Sequence, residues 1–293
     1  MTDLPSPAAI RAAPDIRFHV AAAPLRPLVT SYYFLEAHNP LDDFTHPEWA
    51  NIRFALDGDW YFHEPDGGEA TLPPPATIFG PTDRTRRFHT ARGTVLGIGL
   101  TPIGWLSLIG GDASEAANAI RPLRRELGID GLELRRQIVA APDEAARVAM
   151  LDAVLTARMT QPAGYYDHAV RVQQALLSGE VDQVGDLADR LGVEQRTLHR
   201  VCTGVFGFSP VRLLRRQRFL RTLGRVRDHL DQPLGRLIDE SYYDQAHFNR
   251  DFKAYMGMTP LAYFSLPREA LRRAAEERRR VLGAPVQGLH VNR

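Results

Sequence analysis

The chain has 293 residues but a single cysteine, Cys202. An intramolecular disulfide is excluded, and so is a zinc finger built on paired cysteines. Such cysteine usage is expected of a protein kept in the cytoplasm. Lysine is nearly missing too, since Lys253 stands alone among 36 basic residues. The opening segment, MTDLPSPAAIRAAPDIR, has no basic start followed by an apolar run, so a secretory leader is not expected. The longest uncharged stretch, Thr94 to Gly111, is interrupted by Pro102 and five glycines. It reads as a strand, a turn and a helix start, and no membrane partner is expected. No P-loop, nucleophile elbow or Rossmann glycine pattern occurs, so no catalytic constellation is available. His19, His38, His46, His63 and His89 are scattered, and neither a metal nor a cofactor is expected.

What is present is ordinary for a soluble globular protein: 44% hydrophobic and 24% charged residues. The length suits about two domains. The net charge of +1 hides an asymmetry, with −5 over residues 1–160, +2 over 161–265 and +4 over 266–293. From Arg196 to Arg227 there are nine arginines and no acid. That is the footprint of a phosphate-binding surface, or else a solvated helix face.

The first 111 residues alternate short apolar runs (LVTSYYFLE, NIRFALDGDWYF, ATIFG, TVLGIGL) with turn formers such as HNPLDD and EPDGGE. This predicts a β-rich sandwich or barrel. Residues 112–160 turn to alanine, leucine, arginine and glutamate, and helices are expected there. A linker is expected at Gln161–Gly164. Residues 165–265 read as all helical, and 266–293 as a basic tail on the surface or on phosphate.

The helical half repeats itself. Shifted by 50 positions, Val184–Leu214 falls on Leu234–Phe264 without a gap, with Gly185/Gly235, Leu187/Leu237, Asp189/Asp239, Gln195/Gln245, Arg200/Arg250, Gly207/Gly257 and Pro210/Pro260 identical. The first copy has the parts of a helix-turn-helix: small Ala188, Gly192 for a left-handed turn, and Leu198 as an apolar anchor. The second copy offers Ile238, Tyr242 and Phe248, with Tyr242 a poorer turn residue. Ser209-Pro210 starts a joining helix of about 19 residues, or about 28 Å, reaching to His229. Its apolar stripe is Phe219, Leu220, Leu223, Val226 and Leu230, with Arg218, Arg221 and Arg225 opposite. Such a helix suits two reading heads in adjacent major-groove segments, roughly 34 Å apart. The outward residues are Gln195, Arg196, His199 and Arg200 in the first unit, and Gln245, His247, Asn249 and Arg250 in the second. Arginine pairs with guanine and glutamine or asparagine with adenine, although each residue can instead bind phosphate. Arg200 and Arg250 have a further structural option, as braces to Asp189 or Asp239. Arg218 and Arg221 are expected to meet DNA phosphates.

SYYDQAHFNRDFKAYMGMTP, Ser241 to Pro260, resembles the signature of AraC/XylS-type transcriptional regulators, and LADRLGVEQRTLHR and GFSP also match. The resemblance covers about Gly179–Phe264. It implies a seven-helix DNA-binding domain with two helix-turn-helix units, whose contacting positions fall on Arg196, His199, Arg200, Gln245, Asn249 and Arg250. Ser241 stands where the family usually has glycine, and Val201-Cys202 replaces an apolar residue and phenylalanine. Cys202 aligns with Phe252, which suggests a buried, inert thiol.

Members of the family commonly carry an N-terminal sensor, often a cupin-like β-barrel followed by helices. LRPLVTSYYF and LGIGLTPIGW are similar to such sensor halves. The usual cupin metal spacing of two histidines around one residue is absent. Candidate ligand-binding residues are Tyr33, Arg53, Trp60, His63, Arg87 and His89, or else these are rim and surface groups. The expectation is an α+β chain with a cupin-like β-rich N-terminal barrel or sandwich, trailing helices at 112–160 that are candidates for dimerisation, and a C-terminal all-α tandem helix-turn-helix domain. Its function is sequence-specific DNA binding in transcription regulation, not catalysis. The partners are double-stranded DNA, a small-molecule effector, RNA polymerase and a second copy of the chain. The alternative is a β-barrel isomerase or oxygenase with a helical nucleic-acid-binding appendage.

Overall fold

The computed structural model describes residues 13–63, 68–160, 164–228, 234–239, 242–266, 268–284 and 287. The alternation of apolar side chains in the first half produces strands β1 (Asp15–His19), β2 (Val29–Ala37), β3 (Leu41–Thr45), β4 (Asn51–Asp57), β5 (Tyr61–Phe62), β6 (Ala76–Phe79), β7 (Arg86–Thr90), β8 (Gly93–Leu100) and β9 (Ile120–Pro122). They form a six-stranded sheet in the order β1-β2-β8-β4-β6-β9 and a three-stranded sheet in the order β3-β7-β5. All the strand pairings are antiparallel. Among the described residues no pairing joins the two sheets, so they are not closed into a barrel.

The period of two divides the large sheet into two environments. Tyr32, Phe34, Ile52, Phe54, Ile78, Leu96 and Ile98 enter one core, closed by Leu134, Ile138, Leu151 and Leu155. The other face looks toward the small sheet, where Trp60, Phe62, Phe79, Phe88 and Val95 form a second cluster. Glycines make room on that face. A Cβ on Gly97 would lie 2.0 Å from the Tyr33 ring, and one on Gly99 would lie 2.7 Å from Nε2 of Gln287.

The uncharged stretch resolves as expected into β8, the turn α1 (Pro102–Gly104) capped by the Thr101 hydroxyl, and a wide helical turn from Trp105 to Ile109. Residues 113–127 differ from the helix expected of them. Ala113–Ala116 make one tight turn, Asn118 takes a left-handed φ of 59°, and Ile120–Pro122 pair with β6 as an edge strand. Pro122 cannot sit in a helix interior, but it is tolerated at a sheet edge. The helices proper follow as α2 (Gly131–Ala140) and α3 (Glu144–Arg158), each started by an aspartate side chain, Asp130 and Asp143.

The second half contains α4 (Tyr166–Ser178), α5 (Val184–Leu191), α6 (Gln195–Phe206), α7 (Pro210–Asp228), α8 (Leu234–Leu237), α9 (Gln245–Met256), α10 (Pro260–Ser265) and α11 (Glu269–Leu282). The repeat is kept residue for residue: α5, α6 and α7 start 50 positions before α8, α9 and α10. Gly192 turns the first unit with φ 64°, and its N–H bonds Asp189 O at 3.1 Å. Tyr242 N–H bonds Asp239 O at 2.9 Å in the same register, without a left-handed backbone. Its ring fills the second core against Phe248. Cys202 and Phe252 are both buried at their matching positions, and burial pushes the thiol up to about 12. Leu230 and Ser241 lie outside the described residues, as does the expected end of the joining helix at His229.

The two halves meet on α7. Arg216, fully buried, lays its guanidinium 3.8 Å from the Trp49 ring centroid and donates to Thr82 O at 3.2 Å and Glu48 O at 3.5 Å. Around it Trp49 meets Phe206 edge to face, Arg212 pairs with Asp83, Thr85 N–H bonds Tyr255 O at 2.8 Å, and His46 shares a 2.9 Å hydrogen bond with the Tyr263 hydroxyl. The basic tail is not a free surface helix. Its helix α11 packs on β1 and β3, and the buried Asp43 carboxylate of β3 accepts the Leu271 N–H at 3.0 Å. Burial pushes Asp43 up to about 6.

Arg216→Ala is expected to cost about 2–3 kcal/mol, since it strips the seam of its stacked cation and of the donor to Thr82 O. Urea unfolding followed by tryptophan fluorescence would check this. An unchanged midpoint would show that the seam does not depend on this side chain.

Candidate functional site

Each recognition helix is oriented by an apolar face. Leu198, Val201, Cys202 and Val205 of α6 point into one core, and Phe248, Phe252, Tyr255 and Met256 of α9 into another. The opposite faces hold Gln195, Arg196, His199 and Arg200, and Gln245, Asn249 and Arg250, all exposed, with His247 half-buried edge to face on Tyr242. Asp244 caps α9 by accepting the His247 N–H at 2.6 Å. Arg196 and Arg250 make no hydrogen bond or ion pair among the described residues, so their guanidinia face solvent. Arg200 instead lies 4.9 Å from the Tyr165 ring centroid. Neither repeated arginine braces Asp189 or Asp239; Arg225 takes Asp239 at 2.6 Å. Tyr243, 94% exposed, stands just before α9. Only the fold separates it from its buried neighbour Tyr242.

Most arginines of the basic stretch are tied to partners on the chain itself. Arg218 is 12% exposed, 3.6 Å from the buried Asp251 carboxylate and over the Tyr242 ring at 4.6 Å. Arg221 pairs with Asp182 at 3.1 Å and Arg215 with Asp251 at 2.6 Å. Helix α7 contacts α4, α5, α6, α8 and α9, and the arginines left on its exposed side, Arg212, Arg215 and Arg225, are each paired with an aspartate.

The second site is a cavity of about 530 Å³ between the two sheets. Tyr33, Arg53, Trp60, Phe18, Glu48 and Phe88 are among the residues that line it. Arg53 donates to the Tyr33 hydroxyl and to Glu48, each at 2.7 Å. Burial pushes the Glu48 carboxyl up, against the pull of Arg53. The expectation for His63, Arg87 and His89 is corrected. On β7 Phe88 points into the cavity, so its neighbours Arg87 and His89 point away. Arg87 pairs there with Asp42, while His63 bonds His89 at 2.9 Å. Ala270, Ala274, Ala275 and Arg278 of α11, with Gln287, complete the cavity wall. The signal for them was the run of small alanines on one face of an arginine-rich helix. Asp15, Glu36 and His38 also gather ligand-type atoms within 4.8 Å, as a surface ion-pair cluster between β1 and β2. None of the described helices is long and apolar enough to cross a membrane.

The geometry is that of a DNA-reading module with two helical heads. Residues 187–265 match a family model described as a helix-turn-helix domain. That match assigns residues 187–265, about a quarter of the chain, to a helix-turn-helix domain of the AraC type. No curated protein matches the chain. Among solved structures, ToxT from Vibrio cholerae is 9% identical, covering 80% of this chain and 98% of its own with a TM-score of 0.44. ToxT of strain SCE256 with an unsaturated fatty acid bound is 11% identical, with 79% and 97% covered and a TM-score of 0.41. The AraC-like transcriptional activator CuxR is 15% identical, with 71% and 86% covered and a TM-score of 0.24. These whole-chain likenesses are weak, and the domain match carries the assignment.

Arg196→Ala and Arg250→Ala are each expected to weaken binding to the specific site by about 1–3 kcal/mol with the melting temperature unchanged. Arg218→Ala is expected to lower the melting temperature, because it strips a counter-charge from buried Asp251. Parallel DNA titrations and thermal melts of the three variants check both. Wild-type binding by both Arg196→Ala and Arg250→Ala would show that the recognition helices are wrongly assigned.

Proposed function

We propose that the chain regulates transcription by placing α6 and α9 in the major groove of a specific DNA site, while the cavity between its sheets holds a small, largely apolar effector. The carrying observation is the doubled unit: two recognition helices 50 residues apart, each presenting glutamine and arginine outward from a packed core. In this reading Gln195, Arg196, His199, Arg200, Gln245, His247, Asn249 and Arg250 meet DNA. Arg218 and Arg221 support the helices that carry them. Tyr33, Arg53 and Trp60 belong to the effector pocket of a sensor domain related in plan to the cupin-like ones. In this reading residues 1–111 form the sensor, walled by the tail at 266–293, residues 112–160 carry the dimerisation surface, and residues 165–265 form the DNA-binding domain.

AraC-type regulators are not an enzyme class, and no catalytic role is assigned to the chain. The protein acts in the cytoplasm, with RNA polymerase and a second copy of itself as protein partners. Leu132 and Val139, exposed one above the other on α2, are the apolar groups a second copy would meet.

Fluorescence anisotropy on DNA from the region upstream of its own gene, against a scrambled duplex at ~50–200 mM salt, tests this. Specific binding is expected to be ~10³-fold tighter or more. Equal, salt-sensitive binding to both duplexes would point to phosphate contacts alone. No binding even at low salt would refute the reading.

A further inference from the structure

A guanidinium inside a protein needs acceptors for its N–H groups and a counter-charge, or it carries a large desolvation cost. Arg53 has both, in Glu48 and the Tyr33 hydroxyl. Arg278, also on the cavity wall, has no carboxylate in ion-pair contact; Glu48, already bound to Arg53, acts on it only at longer range. Arg278 is 7% exposed, yet its Nη1 has no hydrogen-bond partner, and its Nη2 reaches only the Ser31 hydroxyl at 3.4 Å. The Phe18 ring centroid lies 4.7 Å from its carbon, and among the described residues no carboxylate is within ion-pair distance. Burial pulls its pKa down to about 10, which leaves it charged at neutral pH. The buried wall therefore holds two guanidinia against one carboxylate. The other charged lining groups are taken or solvated: Arg135 donates to Leu56 O and Ala55 O, and Asp57 and Asp59 are exposed at the rim. Most of the remaining wall is aromatic or aliphatic.

We propose that the cavity binds a monoanionic ligand with an apolar body, and that Arg278 is the residue that recognises its charge. The inference rests on the cavity being the effector pocket. Its consequence is regulatory. Arg278 sits on α11, the helix that follows the second helix-turn-helix unit, so an anion in the cavity adds a tie between the sheets and the end of the DNA-binding half. Asp43 already holds the N-terminus of α11, and Gln287 reaches Leu100 O at 3.1 Å beyond its C-terminus. The ligand would tighten a strap whose two ends are docked.

The test titrates the full chain with two fluorescent probes, 8-anilinonaphthalene-1-sulfonate and N-phenyl-1-naphthylamine. They share an apolar body and differ by the sulfonate. One sulfonate probe is expected per chain, bound about tenfold tighter than the neutral one, as suits a charged hydrogen bond. Arg278→Gln should bring the two affinities together without changing that of the neutral probe. Arg278→Lys, which keeps the charge, should retain part of the preference. Hydrogen exchange over residues 269–282 should slow more with the sulfonate probe than with the neutral one. Equal affinities in the unaltered chain would overturn the proposal, as would a preference that survives Arg278→Gln. If Arg278→Gln does not fold, Arg278→Lys decides, and a complete loss of preference there overturns it. Binding of neither probe would remove the pocket reading itself, while leaving DNA recognition standing.

Discussion

The arrangement of this molecule depends on one buried cation. Arg216 lies in the middle of α7, the helix shared by both reading heads, and it enters the sheet domain rather than solvent. Trp49 faces the guanidinium and two backbone carbonyls accept from it. Those contacts offset part of a burial cost that pulls its pKa down to about 10, since Nε and Nη2 have no hydrogen-bond partner. Because α7 carries both heads, one anchored residue sets the position of two helix-turn-helix units on the sheets. Trp49–Phe206, Arg212–Asp83 and His46–Tyr263 then reinforce a seam that spans both units.

Charge in this protein serves cohesion before it serves recognition. Six arginines along α7 and its flanks are spent on Asp83, Asp182, Asp239, Asp251 and aromatic faces. What remains outward on the recognition helices is mixed, with Gln195, Arg196, His199, Arg200, Gln245, Asn249, Arg250 and Lys253.

The chain also closes on itself. After two helical units it returns to the first domain, where α11 covers the space between the sheets and Asp43 of β3 supplies the N-terminal acceptor that Arg268 does not. The glycine alternation of β8 belongs to the same arrangement: Gly97 admits the Tyr33 ring and Gly99 admits Gln287. Sensor and reader thus share the α7 seam and the wall of a cavity.

The doubled unit, its 50-residue register, the outward residues of α6 and α9, the β-rich first half and the strand-to-turn transition at Thr101-Pro102 were all legible from spacing, because helix and strand periodicities are local. The pocket was half legible. Tyr33, Arg53 and Trp60 lie in it, whereas His63, Arg87 and His89 fall on the far face because a shift of one residue along a strand reverses direction. Residues 113–127 looked helical by composition, but Pro122 and the pairing with β6 overrode propensity. The sequence by itself determined which segments are helices and which of their faces are apolar, since these follow from neighbours three or four residues away. Only the tertiary structure decided which arginines are tied to partners, that the basic tail walls a cavity, and that Arg278 has no carboxylate in ion-pair contact. These depend on groups brought together from along the chain, 14 residues apart in Arg225–Asp239 and 168 in Arg216–Glu48, and no local pattern records them.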